Sequence, residues 1–280
     1  METSLLIIRL IRLICEKYLL LAALFLTACA QTPFYHDDRA ELGLKGPVQS
    51  VSITGRELVD MDGELVDDGA WYERTMEFSE NGQLTRVVQD GEELYSYTSD
   101  TRTIQRYNLD GEPDTREVTV YTTQGDILSW TQYDASDTIL SQEIYTYDAD
   151  HRCIEKSIYS PYSFNLICRD YTYDAQGRRT GYTAYESDDK VSYGYTLTYD
   201  SIGRVVREQW LTPDGRVSGS SAFEYNEQGF VAVETTDDKY TNTYTYEYDE
   251  QGNWISKITV YSGGYDRPSY AIEERTIVYY

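Results

Sequence analysis

Five tyrosines, Tyr121, Tyr147, Tyr173, Tyr199 and Tyr225, stand 26 residues apart, and each opens a turn. The clearest copies are Tyr173-Asp174-Ala175-Gln176-Gly177-Arg178 and Tyr199-Asp200-Ser201-Ile202-Gly203-Arg204, with Tyr225-Asn226-Glu227-Gln228-Gly229-Phe230 close behind. Tyr248-Asp249-Glu250-Gln251-Gly252-Asn253 follows after a spacing shortened to 23. Between successive tyrosine turns lies a second polar break, as at Ser187-Asp188-Asp189-Lys190 and Thr212-Pro213-Asp214-Gly215. One unit is therefore two strands and two turns, and a fixed period of this size marks a repeat architecture.

The turn chemistry follows from residue type. Asp174 occupies the first turn position, where its carboxylate accepts backbone N–H groups, and Gly177 supplies the positive φ that closes a type I turn with a bulge. His151 stands where glycine is expected, so that turn is expected to be strained or built differently. In Tyr244-Thr245-Tyr246-Glu247-Tyr248 the tyrosines share one face, and threonine and glutamate share the other. The tyrosine face is expected inside. Upstream, Val48 to Val59, Trp71 to Phe78, Leu84 to Gln89, Leu94 to Thr98 and Thr103 to Tyr107 also read as strands, bounded by Asp, Asn and Gly. No helix is expected. With roughly eighteen strands, an open sheet must curl or split. The expected fold is all-β: a hairpin meander forming a curled or spiral single sheet, a partial shell, with two stacked sheets as the alternative.

Residues 1–28 read as an export signal. Arg9, Arg12 and Lys17 precede a short apolar run from Leu19 to Leu26, too short for a comfortable membrane span. Leu26-Thr27-Ala28-Cys29 resembles the lipobox of bacterial lipoproteins. That resemblance implies acylation of Cys29, which would tether the chain to a membrane through several acyl chains. Residues 29–45 read as the acylated N-terminus and a polar linker, and 46–280 as the repeat domain.

The chain has 29 Tyr against 6 Phe and 4 Trp, which suits a thin sheet whose rings are buried and whose hydroxyls reach polar partners. A net charge of −24 argues against nucleic acid as a partner and for a soluble monomer. Cys153 and Cys168 flank a turn near Ser160-Pro161, where opposed positions come within disulfide reach; two buried free thiols are the other reading.

No catalytic constellation is visible. The two histidines, His36 and His151, belong to no Ser/His/Asp set, and no phosphate loop, dinucleotide fingerprint or Cys/His metal spacing occurs. Asp60-x-Asp62-Gly63 with Asp67 and Asp68 lacks the downstream glutamate of a calcium loop and reads as turn acids. The expectation is a protein without enzyme activity, cofactor or metal. Candidates for ring stacking on a ligand are Trp210, Trp254, Tyr261 and Tyr265, the last in the loop Ser262 to Pro268; cross-strand packing is their alternative role.

The Tyr-Asp-x-x-Gly-Arg units at Tyr173 and Tyr199 resemble the tyrosine-aspartate (YD) repeats of the Rhs family. With the Cys29 motif and the Leu44-Lys45-Gly46-Pro47-Val48 opening, the chain is similar to small YD-repeat lipoproteins of Bacteroidetes-type bacteria. The resemblance covers Tyr121 to Asn253 and implies β-hairpin repeats outside the cytoplasm, in the bacterial envelope at the outer membrane. It supplies no catalytic residue. Two functions remain open: a tethered module binding an envelope protein or glycan, and a structural or spacer lipoprotein with no small ligand.

Overall fold

The computed structural model describes residues 37–280 apart from 90, 99, 162–164 and 264–267. A one-turn helix α1 (Asp38–Glu41) is followed by β1 (Val48–Met61), β2 (Glu64–Phe78), β3 (Leu84–Val88), β4 (Glu92–Tyr97), β5 (Thr101–Tyr107) and β6 (Pro113–Tyr121). The regular part contains β7 (Ile127–Asp134), β8 (Ile139–Tyr147), β9 (Cys153–Tyr159), β10 (Leu166–Tyr173), β11 (Arg179–Glu186) and β12 (Val191–Tyr199). It ends with β13 (Val205–Leu211), β14 (Val217–Tyr225), β15 (Val231–Thr236), β16 (Tyr240–Tyr248), β17 (Trp254–Ser262) and β18 (Ser269–Tyr279). Each strand pairs antiparallel with its sequence neighbours in one 18-stranded sheet.

The sheet closes. β1 pairs with β18 from Val48↔Tyr279 to Leu58↔Tyr270, so the first and last strands meet and the molecule is a β-barrel. The all-β expectation holds, but neither the open curled sheet nor the two-sheet stack does. Closure is favoured because it removes both edges, each of which would present a row of unpaired N–H and C=O groups. Nothing in a 26-residue period signals it, because the joining strands lie outside the period.

The repeat acts as a rivet between hairpins. Asp174 Oδ1 accepts the N–H groups of Gln176 and Arg178 at 3.0 and 2.9 Å, and Oδ2 takes Arg178 Nε at 2.6 Å. The Arg178 guanidinium then lies 4.6 Å from the ring of Tyr199, one repeat onward, as Arg204 lies 4.4 Å from that of Tyr225. Four of the tyrosine hydroxyls reach back 20 residues to a main-chain carbonyl: Tyr147 to Ile127 at 2.8 Å, Tyr173 to Cys153, Tyr199 to Arg179 at 2.7 Å and Tyr225 to Val205 at 2.6 Å. Acid, arginine and phenol thus bind one unit to the units on either side.

The His151 turn keeps the common geometry. His151 sits at φ 60°, where Gly177 sits at 78°, and its N–H still donates to Asp148 O. Its Nδ1 lies 2.8 Å from Asp126, the residue standing where later repeats have arginine. Two departures from the repeat therefore face each other.

Inward positions carry the aromatic rings: Tyr182 against Tyr195, Tyr195 against Trp210, and Tyr246 against Trp254. Outward positions are hydrophilic along much of the wall, as in Thr243, Thr245 and Glu247 of β16, Thr196 and Thr198 of β12, and Arg207 and Gln209 of β13. A lipid-facing barrel carries an apolar band at these positions. This wall has none along β12, β13 and β16.

All the tyrosine turns fall at one end of the barrel. There the segment from Asp37 to Val48 lies across several strand ends as a strap. Asp38, 5% exposed, accepts the Leu84 N–H at 2.7 Å and the Tyr97 hydroxyl at 2.6 Å. Leu44 joins Val48, Val51, Ile53, Met76, Phe78, Leu84 and Val87 in an apolar floor inside the barrel. Asn253, 1% exposed, holds the main chain of Lys45 by its N–H (2.7 Å) and its carbonyl (2.8 Å). The helix and its contacts occupy a stretch with no sustained period, so sequence pattern does not announce them.

Candidate functional site

Above the apolar floor the lumen turns polar, and the cause is visible in strand register. In β2, Tyr72, Arg74, Met76 and Phe78 share the inward face; in β18, Ala271, Glu273, Arg275, Ile277 and Tyr279 do so. Arg74 and Arg275 both pair with Ile53 of β1, one from each side. Their Cα atoms are thus two strand spacings apart, roughly 10 Å, across a surface curved toward them.

Gly55 shapes the wall beside them. Tyr72 and Glu273 both pair with Gly55, and a Cβ there would meet Tyr72 Cε1 at 2.2 Å. The missing side chain lets the Tyr72 ring cross β1 and donate its hydroxyl to Glu273. Glu273 is also paired with Lys257 of β17. Burial pushes the Tyr72 hydroxyl above its ordinary range, so it stays a donor.

These side chains border a cavity of about 520 Å³, with Trp254 forming its back and Trp71, 61% exposed, its rim. The Trp71 and Tyr72 rings meet edge to face at 5.3 Å. A second hollow of about 440 Å³ adjoins it and shares Arg74 and Gln89.

The charge pattern separates Arg74 and Arg275 from three other inward cations, Arg102, Arg106 and Lys156. Arg102 meets Asp38 at 3.4 Å, Arg106 meets Glu93 at 2.7 Å, and Lys156 meets Glu143 at 3.2 Å. No ion pair joins Arg74 or Arg275 to a carboxylate among the described residues, and the Nε of each is buried without a hydrogen-bond partner. Arg275 instead lies 3.3 Å from the centre of the Trp254 ring. Burial lowers its pKa to about 10, which keeps it cationic at neutral pH. Burial, with Arg275 nearby, also lowers Lys257.

The stacking candidates are not brought together. Trp254 is inside the cavity and 8% exposed, whereas Tyr261 lies at the far end of the same strand and Trp210 on β13 packs against Tyr195. Tyr265 lies outside the described residues, as does Cys29. Cys153 and Cys168 are free thiols; Cys168 pairs with Lys156 and not with Cys153, so the expected opposition of the two is absent. Burial raises both thiols above their ordinary range. Asp60 and Asp67 accept the N–H groups of Gly63 and Gly69 at 2.7 and 2.8 Å, in keeping with turn acids.

Arg74, Lys257, Arg275, Trp71 and Tyr72 escape motif reading. Their signal is register: each charge falls on the parity that carries rings and aliphatics in its own strand. That parity names a site only when the two strands are known to flank β1.

No protein-family model and no curated protein matches the chain. Among solved structures, the chain resembles a porin-like protein from Bacteroides uniformis, at 13% identity and a TM-score of 0.50, over 84% of this chain and 98% of that one. A porin-like protein from Bacteroides vulgatus matches over 83% and 98% of the two chains, at 12% identity and a TM-score of 0.32. The Tc holotoxin pore of Photorhabdus luminescens matches over 74% of this chain and 12% of that one, at 16% identity and a TM-score of 0.34. The first likeness is one of fold.

Proposed function

We propose that this chain is a lipid-anchored protein of the bacterial cell envelope, a closed barrel of YD repeats standing in water and binding an envelope ligand in its lumen. The single observation that carries the binding reading is the cavity above the apolar floor. A lumen serving only as packing would be filled, or its charges would be paired as Arg106 and Lys156 are. Here an open hollow keeps two half-buried arginines without an ion pair, each with a buried Nε, beside exposed indole. The hydrophilic outward face of β12, β13 and β16 supports a barrel that stands in water and leaves membrane attachment to Cys29. The ligand class on this reading is a protein segment or a glycan of the envelope.

Two measurements test the reading. Cys29→Ser is expected to move the protein from the membrane to the soluble fraction; a variant that stays with the membrane refutes the anchor. Retention of the purified protein on cell-envelope glycans or peptides is expected to fall in Trp71→Ala with the melting temperature unchanged. A spacer without ligand predicts no saturable retention at all.

A further inference from the structure

Resting on the lumen-binding reading, we infer that the Arg74–Arg275 cavity is an anion site for a sugar ring bearing a carboxylate or a sulfate. The argument starts from charge. The protein carries −24 overall, yet this hollow gathers Arg74, Lys257 and Arg275 against the single carboxylate of Glu273. That carboxylate is already committed to Lys257 and the Tyr72 hydroxyl. Two arginines without an ion pair are left, held on opposite sides of Ile53 and both facing inward; Glu93 in the adjoining hollow feels the charge of Arg74 but is bonded to Arg106. A half-buried cation without an ion pair is costly, and what relieves Arg275 inside the molecule is the Trp254 face. An oxyanion between the two arginines satisfies the orphan Nε donors and compensates both charges, and planar carboxylate or tetrahedral sulfate oxygens suit the guanidinium fork.

The rest of the wall describes the body of the ligand. Trp71 offers an exposed aromatic face at the rim. The interior beyond it is polar, through the Tyr72 hydroxyl, Lys257 and Glu273. A purely apolar ring would desolvate these groups without replacing their water. A pyranose has both an apolar face for the indole and hydroxyls for the wall. A volume of about 520 Å³ is in the range of small-ligand sites.

The test uses the full-length protein in detergent, titrated calorimetrically with glucuronic acid, glucose 6-sulfate, glucose and inorganic sulfate. Binding of one or both acidic sugars is expected, weaker binding of sulfate alone, and none of glucose. Comparing the two acidic sugars distinguishes carboxylate from sulfate as the natural anion. Arg74→Met and Arg275→Met are each expected to weaken acidic-sugar binding by ~10–100-fold. Both variants are expected to melt no lower than the parent without ligand, because each removes a half-buried charge that has no ion pair and a buried Nε that has no hydrogen-bond partner. Equal binding of glucose that ignores both substitutions overturns the anion site while leaving a lumen-binding protein. Sulfate binding as tightly as the sulfated sugar overturns recognition of the ring. No binding of any sugar, with both variants melting lower, overturns the inference and the lumen-binding reading together.

Discussion

Replacing Asn253 with alanine should detach the strap from the barrel at one point, and the cost can be worked from its contacts. Asn253 stands in the last repeat where Arg152, Arg178 and Arg204 stand in earlier ones. Its Oδ1 accepts the Lys45 N–H at 2.7 Å, and its Nδ2 donates to the Lys45 carbonyl and to the Tyr279 hydroxyl at 2.8 Å each. In Asn253→Ala, Tyr279 keeps its bond to Asp249, but both main-chain groups of Lys45 lose their partner. Lys45 is exposed and the two bonds are part-buried, so water replaces some of the loss; at ~0.5–1.5 kcal/mol for each net hydrogen bond, the two cost about 1–3 kcal/mol. That is a large share of a stability on the order of 5–15 kcal/mol. Urea unfolding followed by tryptophan fluorescence measures the loss, and limited proteolysis near Lys45 reports whether the strap has lifted. Leu44, one residue before the lost anchor, is part of the apolar floor, so strap release should also expose floor. A loss below about 1 kcal/mol with Lys45 still protected would refute the claim that Asn253 fastens the strap.

Two further expectations concern the repeat. Tyr199→Phe keeps the ring beneath Arg178 but removes the hydroxyl from the Arg179 carbonyl, so unfolding measurements should show a loss of ~0.5–1.5 kcal/mol, with Tyr199→Ala losing more. Acid should melt the barrel through its turn carboxylates. The Arg152 side chain and backbone hold Asp148 below the usual carboxylate range; partial burial pushes Asp174 and Asp200 up, but Arg178 and Arg204 pull both below it. A folded-state pKa below the unfolded value gives stability that is present above pH ~4 and lost as pH falls through the folded value. Melting temperature should therefore drop steeply on the acid side of pH ~4, and Asp200→Asn should lower it at pH ~7 while flattening that acid limb; an unchanged limb would count against these pairs.

Much of the architecture is legible residue by residue. The Tyr-Asp-x-x-Gly spacing places the turns, because aspartate capping and a left-handed glycine are local chemistry. Strand alternation in Tyr244 to Tyr248 assigns the tyrosines to one face, and the ring contacts of Tyr246 bear that out. The wall around Ile53 is legible only afterwards. Arg275 reads as one more charge among the 26% of residues that are charged until its register beside β1 is known.

What the sequence determined by itself is therefore the unit: two strands, two turns, an inward ring and a hydrophilic back, all set by contacts within a few residues or one period. Only the tertiary structure decided that the units close, that β1 lies between β2 and β18, and that the strap from Asp37 to Val48 crosses the tyrosine-turn end. The physical reason is separation along the chain. Arg74 reaches Ile53 through the β1–β2 hairpin, but Arg275 reaches it only through the pairing of the first strand with the last, a ladder between distant ends of the chain that neither a repeat nor a hairpin encodes.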